Sequence, residues 1–320
     1  MMQWSSFMPA ALFSVTSISM ILLNKWVVQV YPYSATLLIL QNCATIALLW
    51  AKNPQQKLEK ETLQAWLPCA VIFCVNIFSS MESLTSISVP TFTIFRNTQP
   101  LIAVALDFWL RKQSITYASF HFLVMVLIGA VIYCKHDTNV SLYGYVWAAV
   151  HVLSMSLYSV VVKSKCETLN LSVSDMSMYN NVLSLPVLLL LGLASHVAQR
   201  DSGNSQLDAS YLCVTVYLCV LPILISCVAG YAMSLAGFNA QKAMSPISFL
   251  TLNNLSKIPA IIISVFLFNT VLTMTAIYGM GVSMIAGYLY ALSRQQDISF
   301  VIVTIVWSMV SVITYVAFFI

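Results

Sequence analysis

The sequence predicts an all-α polytopic membrane protein, a ten-helix bundle of two inverted five-helix repeats, and three observations carry that prediction. Of the 320 residues 60% are hydrophobic and 8% charged, with a mean hydropathy of +0.87, far outside the range of soluble domains. Apolar windows of the roughly 17–25 residues that a helix needs to cross a bilayer recur with only short polar interruptions. One window in each half of the chain repeats the same proline-interrupted pattern.

The windows fall at 8–30, 34–51, 65–85, 89–110, 115–134, 142–162, 173–195, 211–236, 245–269 and 272–293. They are continuously apolar and lack the alternation of membrane-barrel strands, so they are helices. The interruptions leave no room for a soluble domain, and residues 1–294 read as one unit. A further apolar stretch, 299–320, is long enough to span an eleventh time. The opening "MMQWSS" has no positive n-region and the first window is too long for an h-region, so the first span is expected to stay.

The eight cysteines show neither metal-ligand nor disulfide-framework spacing and read as packing residues. The four histidines, His121, His136, His151 and His196, show no metal spacing either; His121 and His151 read as satisfied interior residues or cavity lining, with a proton-relay role as the lesser alternative. Only Glu82 and Asp107 could serve an intramembrane enzyme, and neither has a catalytic partner by spacing. Nothing points to catalysis, a metal, a cofactor or a nucleic-acid partner.

Cytoplasmic loops of membrane proteins carry an excess of Lys and Arg. One set of loops holds nine such residues, Lys52, Lys57, Lys60, Arg111, Lys112, Lys163, Lys165, Lys242 and Arg294, and the other only Lys135 and Arg200. The N-terminus and the end of span ten are therefore expected in the cytosol. Three cations remain inside spans: Lys25, Arg96 and Lys257. A cation at the middle of a span costs roughly 2.5–3.5 kcal/mol on insertion scales, so it faces a cavity or a partner. Lys25 lies near a span end and can snorkel. For the deeper Arg96, Asp107 is about 16 Å further along the same helix, so Glu82 on the preceding span is the better structural partner.

Span four begins "VPTFTIFRNTQP" and span nine "SPISFLTLNNLSKIP". In each, a proline (Pro90, Pro246) precedes an asparagine (Asn97, Asn253) by seven residues, and a second proline (Pro100, Pro259) follows. These are the fourth members of two sets of five, giving repeats of approximately 8–134 and 142–293. An odd number of spans per repeat inverts the second half, the design of secondary transporters whose site lies at the repeat interface. Two opposed deep cations suit an anion carrying two phosphates, Arg96 bidentately and Lys257 as a point charge.

Span seven opens "MYNNVLSLPVLL", burying two carboxamides before a leucine run. Together with "LLNKWVV" in span one, "VPTFTIFRNTQPLI", "YGYVWA" opening span six and "LSKIP" in span nine, it resembles the nucleotide-sugar transporters of the drug/metabolite transporter superfamily. The likeness, strongest to the GDP-sugar branch typified by GDP-mannose transporters, covers residues 10–294.

The resemblance implies a Golgi antiporter that imports a GDP-sugar, GDP-mannose first, in exchange for GMP by alternating access. It implies that the base is read by Tyr179, Asn180 and Asn181, with Ser234 nearby. The phosphates and their anionic field fall to Arg96, Asn97, Lys257 and Lys25, and the sugar and diphosphate to Asn253, Asn254, Ser256 and Phe249. An amide offers both donor and acceptor to the mixed edge of a base. The family's G-A-L-N-K motif stands here as Asn253-Asn254-Leu255-Ser256-Lys257, and Phe249 replaces a tyrosine. These departures leave a UDP-sugar or another phosphorylated metabolite open as substrate.

Two smaller features complete the reading. Gly279, Ser283 and Gly287 form a small-residue stripe on span ten that suits close packing within one chain or a homodimer contact. Asn139 begins a glycosylation sequon in a loop too short for efficient modification.

Overall fold

A computed structural model describes residues 4–30, 34–54, 58–111, 116–137, 140–201, 209–268, 272–293 and 308. The eleventh apolar stretch apart from residue 308, Asn139 and the side chain of Asp107 lie outside the described residues. The described chain is helical throughout: α1 (Trp4–Val30), α2 (Ser34–Lys52), α3 (Lys60–Ser86), α4 (Val89–Asn97), α5 (Gln99–Arg111), α6 (Tyr117–Lys135), α7 (Leu142–Leu169), α8 (Val173–Asp201), α9 (Ala209–Ala243), α10 (Pro246–Leu255), α11 (Lys257–Phe268) and α12 (Met274–Ser293).

Among the described residues, seven helices are long and apolar enough to cross a membrane: α1, α2, α3, α6, α7, α8 and α9. α4 with α5 and α10 with α11 each supply one interrupted pass, and α12 the last, in register with the ten expected windows. Outward faces carry exposed Val131, Leu190 and Phe266, the side chains that lipid solvates.

Both interruptions trace to proline. Pro100 and Pro259 have no N–H for the carbonyl four residues back, so each helix breaks just before them, at Thr98 and at Ser256. A hydroxyl patches each break. Thr98 Oγ1 donates to the Phe95 carbonyl at 2.7 Å, and Ser256 Oγ to the Asn253 carbonyl at 3.0 Å. Ser88 caps the start of α4 by accepting from the Thr91 N–H at 3.3 Å, with Pro90 in the first turn, where no donor is needed. Arg96 and Lys257 thus stand at the two breaks.

The principal packing partners are α3 with α7, α1 with α9, α2 with α8 and α6 with α12. Exchange each pass with the one five later and this set maps onto itself: α3–α7 becomes α9–α1, while α2–α8 and α6–α12 each return to themselves. α6 and α12 touch backbone to backbone. A Cβ on Gly129 would lie 2.5 Å from the Ser283 nitrogen, and one on Gly279 would lie 2.7 Å from the Tyr133 nitrogen. The small-residue stripe of span ten is therefore used inside the chain, Gly279 and Ser283 against α6 and Gly287 beside Asn97.

Candidate functional site

A cavity lies within the bundle, walled by α1, α2, α3, α4, α7, α8, α9 and α10. Arg96, Asn181, Ser234, Phe249 and Asn253, all singled out by sequence, line it together.

Arg96 is 8% exposed, and its guanidinium carbon sits 5.6 Å from the centre of the Phe92 ring. Its Nε has no hydrogen-bond partner. Glu82, the expected structural partner, is occupied elsewhere, accepting a 2.6 Å hydrogen bond from the Tyr143 hydroxyl. Lys257 is fully buried, and its ammonium donates to the hydroxyl of Ser17 on α1. Ser17 lines the cavity and also donates to Asn253 Oδ1 at 3.4 Å. Lys257 is one layer back from the cavity, behind Ser17.

The two amides of span seven separate. Asn181 Nδ2 donates to the Ser177 carbonyl at 2.7 Å and to Ser234 Oγ at 3.2 Å, and both Asn181 and Ser234 face the cavity. Asn180 is turned toward α3, where Trp66 Nε1 donates to its Oδ1 at 3.3 Å, and its Nδ2 has no partner. The Tyr179 hydroxyl accepts from the Glu59 N–H at 3.0 Å at the start of α3. Asn180 and Tyr179 tie α8 to α3 and do not line the cavity.

Four other sequence candidates are likewise not brought to it. Lys25 donates to the Leu84 and Ile87 carbonyls at 2.6 and 2.8 Å, capping the end of α3 as a lysine near a helix C-terminus does. Asn97 donates to Ser283 Oγ at 3.2 Å across to α12. Ser256 is spent on the helix break, and Asn254 is buried with its Oδ1 unpartnered. His121 bonds the Tyr117 carbonyl within α6, away from the cavity, whereas His151 lines it.

Sequence reasoning missed much of the polar lining. Gln41, Asn42 and Thr45 on α2 face the cavity, with Asn24, Asn76 and Gln241. Gln41 Nε2 donates to Asn24 Oδ1 at 3.2 Å, while Asn42 Oδ1, Asn76 Oδ1 and Gln241 Oε1 have no partner. The signal was present: adjacent amides in the apolar run "LQNCAT" are as costly to bury as those of span seven. Among the described residues no cluster of His, Cys, Asp and Glu could hold a metal ion.

A bundle of membrane passes around a cavity lined in part by buried polar side chains, two of the passes broken beside it, is the architecture of a membrane transporter. The chain belongs to the Triose-phosphate Transporter family, whose family model matches residues 7–291. It is a carrier, not an enzyme. It is 25% identical to a GDP-mannose transporter of Arabidopsis thaliana, over 84% of this chain and 73% of that one. A GDP-fucose transporter of the same plant is 27% identical, over 80% and 76%. A GDP-mannose transporter of Scheffersomyces stipitis is 24% identical, over 90% and 93%. A solved crystal structure shares the fold, with a TM-score of 0.54 at 15% identity over 90% of this chain and 99% of that one.

Proposed function

We propose that this carrier is a GDP-sugar antiporter that takes GDP-mannose into the Golgi lumen and returns GMP by alternating access, its N-terminus in the cytosol. The observation that carries the reading is the pair of buried cations. Arg96 lines the cavity and Lys257 stands behind its wall, and neither has a carboxylate partner among the described residues. Unpaired buried charge is expensive, and an anionic substrate supplies the missing counter-charge. A carrier that switched faces empty would leave both cations unneutralised, which favours exchange of one anion for another.

The base falls to the Asn181–Ser234 pair, whose amide and hydroxyl both donate and accept. The similarity to carriers of GDP-mannose and GDP-fucose supports guanine over uracil. Residues 8–134 and 142–293 serve as the two repeats, in keeping with the self-mapping of the helix pairs.

Counterflow into liposomes tests the proposal. Vesicles holding the purified protein are preloaded with GMP or UMP and offered labelled GDP-mannose, other GDP-sugars and UDP-sugars. Uptake of GDP-sugars only into GMP-loaded vesicles is expected, and Arg96→Gln or Lys257→Ala should abolish it. Uptake driven by UMP would overturn the GDP assignment while keeping the exchange mechanism.

A further inference from the structure

His151 on α7 is 4% exposed and lines the cavity. Its Nδ1 lies 3.0 Å from the backbone carbonyl of Asn76 on α3. A carbonyl only accepts, so Nδ1 carries the proton, and in the neutral ring Nε2 is left as a lone-pair acceptor. That Nε2 is buried and has no hydrogen-bond partner. An orphaned acceptor in a cavity wall is costly unless something that enters the cavity satisfies it.

Phe92 sets where this acceptor stands. The imidazole centroid is 4.9 Å from the Phe92 centroid, and the Arg96 guanidinium carbon is 5.6 Å from that same ring. Both side chains also line the cavity, so the substituents of a phosphate held by Arg96 extend along a wall that includes His151. The adjoining Asn76 carboxamide has its Oδ1 unpartnered, while its Nδ2 faces the Met155 sulfur at 3.5 Å. This stretch of wall presents acceptors, which would repel a second phosphate and suit a donor. In a nucleotide sugar, the groups flanking the phosphates are the ribose and the transported sugar, and both are rich in hydroxyl donors.

We infer that His151 is a specificity-determining residue whose Nε2 accepts a hydrogen bond from a sugar hydroxyl next to the ligand's phosphates. The inference rests on the anion-carrier reading above and assigns to α7 a role that the sequence motifs leave open.

Competition binding to the purified full chain tests it, using wild type, His151→Phe and His151→Gln. The probes are GDP-mannose, GDP, GMP and 2′,3′-dideoxy-GMP, with the uridine series alongside so that an error in the base assignment leaves the outcome readable. His151→Phe should erase about ten-fold of one preference, the value of one good hydrogen bond. A hydroxyl of the transported sugar predicts loss of the preference for GDP-mannose over GDP; a ribose hydroxyl predicts loss of that for GMP over its dideoxy analogue. His151→Gln, which can place an amide oxygen near the position of Nε2, should keep most of it. Both preferences intact in folded His151→Phe, or all probes weakened in parallel, would overturn the inference. A wild-type protein that binds neither series would overturn the carrier reading beneath it.

Discussion

The ammonium of Lys257, the first residue of α11, donates its hydrogen bond to the Ser17 hydroxyl midway along α1. The two residues are 240 positions apart in the chain. One comes from the first pass of the first repeat and the other from the broken pass of the second. The bond holds the deep cation against the cavity wall, with no carboxylate among the described residues to compensate its charge.

Removing that hydroxyl should act through Lys257. Ser17→Ala is expected to weaken nucleotide-sugar binding by about 1.5–3 kcal/mol, the usual worth of a hydrogen bond to a charged group. In a double-mutant cycle of GDP-mannose binding to the purified chain, Ser17→Ala should add nothing to Lys257→Ala. Additive losses would separate the two residues.

Lys25 should behave differently despite being a third cation within a span. Its two bonds to the Leu84 and Ile87 carbonyls close the end of α3. Lys25→Met leaves buried acceptors short of a donor, at about 1–3 kcal/mol. The expected result is a lower unfolding temperature in detergent, with nucleotide affinity unchanged in the folded fraction. Lost affinity at unchanged stability would place Lys25 in the anion site.

Adjacent amides should likewise give opposite phenotypes. Asn180→Ala takes away the acceptor of the Trp66 indole N–H and should destabilise by about 1–3 kcal/mol while sparing the preference for GDP-sugars over UDP-sugars. Asn181→Ala, beside Ser234, should keep the fold and blunt that preference. Parallel competition with both nucleotide series, paired with thermal unfolding, distinguishes them.

Glycines in α6 and α12 provide a stability test independent of transport. Gly129→Ala would push a methyl to 2.5 Å from the Ser283 nitrogen and 2.6 Å from the Gly279 carbonyl oxygen. Backbone cannot yield as a side-chain tip can, so a loss of about 1–3 kcal/mol is expected. Gly281→Ala meets nothing within 4 Å and should stabilise by about 0.5–1 kcal/mol through helix propensity. Thermal unfolding of the two variants should move in opposite directions.

Much of the fold was legible because hydrocarbon imposes local rules. Each pass must be long, apolar and internally hydrogen-bonded, so the windows near 89–110 and 245–269 emerged from the sequence even though both helices break within them. The prolines marked the breaks as well, since a missing N–H is a property of one residue. The site was legible only in part. Arg96, Asn181, Ser234, Phe249 and Asn253 do meet in the cavity, but Tyr179, Asn180, Asn97 and Lys25 serve helix–helix contacts instead.

By itself, the sequence determined that this protein crosses a membrane many times as helices, where those crossings lie, and that deep cations and buried amides must be satisfied by something other than lipid. Each of these follows from the cost of placing a given side chain in hydrocarbon, which does not depend on the rest of the chain. Only the tertiary structure decided what satisfies each one. Asn180 and Asn181 are chemically identical neighbours, about 100° apart around α8, and the positions of α3 and α9 make one a tie to Trp66 and the other a cavity residue. The same packing occupies Glu82 with Tyr143 and leaves Arg96 without a carboxylate among the described residues, because the direction a side chain faces is set by helices distant in sequence.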